Sequence, residues 1–326
     1  MKRFGFVAAG GGYRSFYTEG ALVWLRRQGI PVVHLASTSS GNNIVLDWLM
    51  WDEAREELPP VLTKTLRLSL ADTFDVLSNF LGLRPSLLPN GAHLLKVDKD
   101  RCRKSLLLDE TARRATLQNA LAATRWDIVA TNLTQRRAEY FSVNEILARI
   151  DAPSLARFMD VFLAGITTIP YFAAIRMHGD YYVEGGYTDN VPLRTLFADP
   201  EVDEIIAVDF TDRNYHSELE TAYGKNPLMV LFNSIDMNLL VTDIQMNLPA
   251  MGVLRQAQLL NRVLEVAGLS ELEIDGRVYR RKPLHVLRPH NLKSMTIALR
   301  DSRLQKEYFE LGQQEVARLL ELPTAP

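Results

Sequence analysis

The 326-residue sequence has a single cysteine, no excess of either charge and no long apolar run. Each shortage excludes something. Cys102 alone cannot close an intramolecular disulfide, and one thiol cannot supply a multi-cysteine zinc site. Lys and Arg number 37 against 39 Asp and Glu, a net charge of −2, so there is no electrostatic footprint for nucleic acid. Short basic clusters such as Arg280-Arg281-Lys282 read as solvated turns. No stretch approaches about 18 uncharged apolar residues, so no membrane span is expected. Met1-Lys2-Arg3 before Phe4 to Ala9 imitates the start of a signal peptide, but the apolar run is too short and dissolves into Gly10-Gly11-Gly12. The expected location is cytoplasmic, with peripheral contact to a membrane left open. With 47% hydrophobic and 23% charged residues, disordered, collagenous and disulfide-scaffold classes are excluded. A chain of this length buries roughly three quarters of its unfolded surface, enough for a sizeable core.

The first fifty residues alternate strand and helix. Phe4 to Ala9 is a buried-strand run ended by glycines, and Tyr13 to Gln28 turns helical, with Arg26 and Arg27 in its last turn and Gly29 and Pro31 stopping it. Val32 to Ala36 is a second strand. The helix expected from Asn42 to Glu57 is apolar nearly all round and therefore buried, its charged run from Asp52 to Glu57 forming a solvated end. This βαβα unit feeds a parallel sheet, to which Asp127–Ala130, Tyr181–Val183, Ile205–Phe210 and Leu284–Leu287 add strands. Ile274 to Tyr279, turning at Asp275-Gly276, reads as a hairpin. Leu228 to Gly268 is largely helical, and Asp301 to Leu322 is a helix with Leu304, Tyr308, Leu311, Val316 and Leu319 toward the core. No repeat or linker divides the chain, so one domain over residues 1–326 is expected. Its parts are a motif core at 2–212, a helical segment and hairpin at 216–282, and a last strand and helix at 283–322.

Two small-residue turns, each between a strand and a helix, carry the chemistry. Gly10-Gly11-Gly12-Tyr13-Arg14 puts unhindered backbone N–H groups at a helix N-terminus, where the dipole favours negative charge. A dinucleotide loop would need an acidic residue at the end of the following strand to hold a ribose. That strand ends in Ala36-Ser37-Thr38-Ser39, which has none. Ser37-Thr38-Ser39-Ser40-Gly41 fits the nucleophile elbow G-x-S-x-G, with Ser37 in place of the first glycine and Gly41 retained. Ser37 is small enough to be tolerable there, and is the one departure that could crowd the elbow.

An elbow this close to the N-terminus, behind a glycine turn, resembles the patatin-like phospholipases, whose signature is G-G-G-x-R/K, then G-x-S-x-G, then D-G-G/A. The third element stands at Val183-Glu184-Gly185-Gly186-Tyr187-Thr188-Asp189-Asn190-Val191-Pro192, with Glu184 where the family has Asp. Ala164 to Phe172, with Thr167, Thr168 and Pro170, resembles the small-residue segment before it, and the likeness runs from about Lys2 to Pro289. It implies a three-layer α/β/α fold with a mostly parallel sheet. It implies a lipid acyl hydrolase of phospholipase A or lysophospholipase type, in which Ser39 attacks an acyl ester and Glu184 is the base without an intervening histidine. Gly10, Gly11, Gly12 and Arg14 make the oxyanion side. The Gly11 and Gly12 amides are the expected donors, and Arg14 braces the loop or meets a lipid phosphate. Ser37 and Gly41 support the elbow, and Gly185, Gly186, Asp189 and Asn190 support the acid loop. No metal or cofactor is implied. The implied partner is a phospholipid or other acyl-ester lipid.

Alternatives are a patatin-fold protein that binds or scaffolds lipid without turnover, and an acyltransferase using the same dyad. Glu184 is one methylene longer than Asp, about 1.5 Å, so the dyad is either compensated by the backbone or slack. Asp189 is a substitute base or a structural residue. Of the six histidines, His34 reads as a hydrogen-bonded core residue, while His285 or His290 is the late histidine that a Ser-His-Asp triad would recruit. The apolar stretches Phe74 to Leu95 and Met237 to Leu260 read as core, or as a lid that receives acyl chains.

Overall fold

A computed structural model describes residues 1–60, 62–63, 84–85, 95–169, 172–210, 230–274, 276–290, 292 and 302–321. Apart from 84–85 and Leu95, the apolar stretch Phe74 to Leu95 lies outside the described residues, as do Pro170, His93 and His216.

The chain runs β1 (Phe4–Ala8), a 3₁₀ turn (Gly12–Arg14), α1 (Ser15–Arg27), β2 (Val32–Ser37) and α2 (Ser40–Met50). Then come α3 (Lys99–Ser105), α4 (Thr111–Ala123), β3 (Arg125–Asn132), β4 (Arg137–Ser142), α5 (Val143–Ile146) and α6 (Ala152–Ile166). β5 (Ile175–Met177), β6 (Asp180–Glu184), a 3₁₀ turn (Gly185–Tyr187), α7 (Arg194–Ala198) and β7 (Glu204–Val208) follow. The last part is α8 (Val230–Val266), β8 (Glu271–Ile274), β9 (Arg277–Arg280), β10 (Leu284–Leu287) and α9 (Ser302–Leu319). β8 and β9 form the expected hairpin, separate from the main sheet.

The main sheet is ordered β10-β7-β1-β2-β3-β6-β5, with β4 also on β3. Every pairing from β10 to β3 is parallel, and β4, β6 and β5 join antiparallel. The result is a mixed α/β fold with a mostly parallel central sheet flanked by helices. Strands buried on both faces read as continuous apolar runs, and Phe6, Leu35, Ile128 and Ile206 are fully buried.

One pairing detail positions the site. β3 has three partners but only two edges. β4 takes Asp127 to Asn132 continuously. The other edge is therefore shared, with β2 on Arg125 to Ile128 and β6 on Ala130 to Asn132. Since β2 is parallel to β3 and β6 antiparallel, their C-terminal ends meet head to head. Residues just after Ser37 are thus brought against Glu184, more than a hundred positions downstream in sequence.

Three local readings are corrected. α2 stops at Met50, because the backbone of Trp51 turns extended and its indole N–H bonds the Glu56 carbonyl at 3.0 Å. Within the run read as a solvated helix end, Glu56 pairs with Arg113 of α4. Lys282, read as part of a solvated basic turn, is buried, its Nζ donating to the Leu196 carbonyl at 2.7 Å and to the Asp199 carbonyl. In the Met237–Leu260 segment, Met246, Ala250, Leu254 and Ala257 are core, while Val241, Leu248 and Leu259 are exposed. Among the described residues, no helix is long and apolar enough to cross a membrane.

Candidate active site

Both small-residue turns leave the sheet at the C-terminal ends of neighbouring parallel strands, with Ala8 of β1 in register with Ser37 of β2. The chain reverses sharply at Ser39, whose φ of 54° and ψ of −134° lie where non-glycine residues rarely go. Such a conformation costs on the order of 1–3 kcal/mol and persists only where its surroundings over-determine it. Here the Thr38 amide donates to Ala8 at 3.2 Å, the Ser39 amide to Gly165 at 3.0 Å and the Gly41 amide to Thr38 at 3.0 Å. Gly41 has to be glycine, since a Cβ there would lie 2.1 Å from the Ala8 carbonyl oxygen.

Ser37 does not crowd the elbow. Its hydroxyl donates to Asn42 Oδ1 at 2.6 Å and accepts from the Trp126 indole at 2.7 Å, all three groups being buried. It closes a relay that a glycine would leave open.

Glu184 ends β6, its carboxyl accepting from the Thr168 hydroxyl and lying close enough to the Ser39 side chain for that side chain to favour the ionised acid. Among the described residues, no histidine stands between them. The backbone of Glu184 is pinned, its amide donating to Thr167 at 2.9 Å and its carbonyl accepting from Thr131 at 2.7 Å. Only 3% of the residue is exposed. Its pKa is raised to about 7, chiefly by burial and further by the Asp243 carboxylate, against the opposing pull of the Ser39 and Thr168 hydroxyls. Gly185 seals the join between the strand ends, because a Cβ there would lie 2.3 Å from the Val129 oxygen and 2.5 Å from Thr38 Oγ1.

The glycine turn differs from expectation. The Gly10 amide donates to Asn190 Oδ1 at 3.0 Å, and Asn190 Nδ2 returns a bond to the Gly10 carbonyl at 3.2 Å. The Gly11 amide, an expected oxyanion donor, donates to Ser40 Oγ at 3.1 Å, and Ser40 Oγ lies 2.5 Å from Ser15 Oγ. Gly12, at φ 59°, opens the 3₁₀ turn, so its N–H has no acceptor within that turn. Arg14 is 1% exposed, donates from Nε to the Gly11 carbonyl at 3.0 Å and is ion-paired with Asp243. Its guanidinium lies inside the protein, bracing the turn, and does not face an arriving phosphate.

Asp189 bonds the Tyr140 hydroxyl, which holds its loop against β4. Gly186 packs under Met246 of α8. His285 is engaged with Glu204 at 2.7 Å near the N-terminal end of β10, and His34 bridges Asp127 and Asp199 at 2.9 and 2.7 Å. His290 is exposed and is not among the groups bonded to Ser39 or Glu184. The triad alternative therefore finds no support among the described residues. The sequence reading quoted Thr168 and Ser40 only as members of motifs, with no individual role, and singled out neither Asp243 nor Asn247. The signal for the last two was present as Asp243-x-x-x-Asn247, a polar pair on one face of an apolar helix.

Comparison with known proteins bears on the same segment. The family model described as Patatin-like phospholipase matches residues 6–197. No curated protein matches the sequence. Among solved structures, VipD from Legionella pneumophila is 14% identical with a TM-score of 0.43, covering 98% of this chain and 66% of its own. The type III effector ExoU is 13% identical with a TM-score of 0.37, covering 97% and 52%. The chain thus spans between half and two thirds of the length of these two proteins.

Proposed function

The chain belongs to the patatin-like phospholipase family, and from that premise we propose that it hydrolyses acyl esters of phospholipids or related lipids through a Ser39–Glu184 dyad. The observation that carries the reading is the strained Ser39 beside the buried Glu184 carboxyl, its side chain near enough to favour the ionised acid, with no histidine between them among the described residues.

The chemistry follows from the geometry. A serine hydroxyl is a weak nucleophile until a base takes its proton, and an exposed glutamate is too weak a base. Burial lifts the Glu184 pKa to about 7, close to working pH. Ser39 Oγ attacks the ester carbonyl while its proton passes to Glu184. The carbonyl oxygen becomes an oxyanion, for which the Gly12 amide at the positive end of α1 is the donor on hand. Losing one such donor typically costs about 2.7–4 kcal/mol of barrier. Collapse expels the alcohol, which takes the proton back from Glu184 and leaves an acyl-serine. Water, deprotonated by Glu184, then releases the fatty acid and restores Ser39. The Thr168 hydroxyl fixes the carboxyl in place throughout.

The test is a fluorophosphonate probe followed by intact mass. A single adduct on the wild type and none on Ser39→Ala is the expected result. A folded, monodisperse wild type that stays unlabelled would overturn the hydrolase reading and leave a lipid-binding protein.

A further inference from the structure

We infer that Asp243 and Asn247, on α8 and outside the segment that matches the family, are positioning residues for Ser39 and Glu184. The inference rests on the reading of that pair as the catalytic dyad.

A spacing of four puts the two side chains on one helical face, and both are buried. From that face two polar limbs reach the glycine turn. In the first, Asp243 Oδ1 accepts from Arg14 Nη2, and Arg14 Nε donates to the Gly11 carbonyl. In the second, Asn247 Oδ1 accepts from Asn190 Nδ2 at 3.1 Å, and Asn190 clamps Gly10 through both its amide and its carbonyl. Asn247 Nδ2 donates to Asp243 Oδ1 at 3.0 Å and joins the limbs. Gly10 lies directly against the nucleophile, since a Cβ there would sit 2.6 Å from Ser39 Cβ. The helix therefore holds the turn that shapes the oxyanion side, and through Met246 on Gly186 it also touches the acid loop.

Charge makes the arrangement more than packing. A guanidinium as buried as that of Arg14 is tolerated only with a counter-charge, and Asp243 supplies it. The same carboxylate opposes ionisation of Glu184. The charged groups that face Asp243 include Arg14 from the glycine turn and Glu184 from β6, and Asn247 is a neutral partner on its own helix. Removing the charge should loosen the turn and let Glu184 ionise at lower pH. A residue that merely fills space would not do the second.

The test uses the full chain, with two readouts on wild type, Asp243→Asn and Asn247→Ala. Glu184 titration is followed by the carboxyl C=O infrared band, taken as a difference against Glu184→Gln. Fluorophosphonate labelling is followed against pH. In Asp243→Asn the infrared midpoint should fall by roughly half a pH unit or more, and the labelling plateau should fall on the order of tenfold. Asn247→Ala should lower the plateau and leave the midpoint in place, and Asp243→Glu should recover part of both. An unmoved midpoint with a wild-type plateau in Asp243→Asn would overturn the inference. If that variant does not fold, a wild-type plateau in Asn247→Ala, which keeps the ion pair, would overturn it equally. Failure of the dyad reading looks different: the wild type stays unlabelled at every pH, while an infrared shift in Asp243→Asn still supports the coupling.

Discussion

In the proposed dyad Glu184 is the residue on which the chemistry turns, and its extra methylene is used. The pinned backbone and the longer arm together bring the carboxyl to both Ser39 and Thr168. Glu184→Asp, although it installs the family's acid, should therefore draw the carboxyl back by about 1.5 Å and slow labelling on the order of a hundredfold. Labelling at or above the wild-type rate would show that the dyad is slack. Because the base works ionised and its pKa is raised to about 7, the wild-type labelling rate should climb through neutral pH and level off above it. A flat profile from pH 5 to 9 would assign the proton elsewhere. Ser37→Ala removes the acceptor of a buried indole N–H. Denaturant titration should register a loss of about 1–3 kcal/mol.

At the level of elements, the glycine turn is only as rigid as the helix behind it. α1 carries that turn at its N-terminus and crosses α9 very closely. A Cβ on Gly20 would lie 2.0 Å from the Phe309 carbonyl oxygen, and one on Gly312 1.9 Å from that of Tyr17. Neither oxygen is the end of a flexible side chain, so the helices themselves must separate. Gly312→Ala should lower stability by about 1–3 kcal/mol and slow labelling as well, although it is remote from Ser39 in sequence. A variant with wild-type melting temperature and labelling rate would show that the two helices slide freely.

The pH dependence of folding belongs to the whole molecule. Glu184 binds its proton more tightly folded than unfolded, so its contribution is complete below about pH 4.5 and is lost as pH rises toward 7. His34 is also raised, from 6.5, because its bonds to Asp127 and Asp199 outweigh its larger desolvation, so its contribution fades as pH climbs past its folded pKa. Asp199 and Glu204 are lowered despite burial, by their partners, and their contributions are lost on acidification. Stability should therefore be greatest at mildly acidic pH and decline toward pH 8. His34→Gln should flatten the alkaline part of that decline, and an unchanged slope in thermal melts at pH 6, 7 and 8 would refute the assignment.

The sequence by itself determined what depends on neighbours along the chain. Phe4 to Ala8 and Val32 to Ser37 are strands because their apolar runs suit burial on both faces, and the turns after them follow from glycine and serine at fixed offsets. The order of the three motifs carried the family, and from it Ser39 and Glu184 were expected to share one site. Only the tertiary structure decided which backbone donors remain for an oxyanion, because Asn190 and Ser40 take the Gly10 and Gly11 amides from outside the turn. It alone gave Arg14 the partner Asp243, and Ser37 the partner Trp126. Such pairings depend on which side chains the shared edge of β3 and the packing of α8 bring within about 3 Å, and no spacing along the chain encodes that distance.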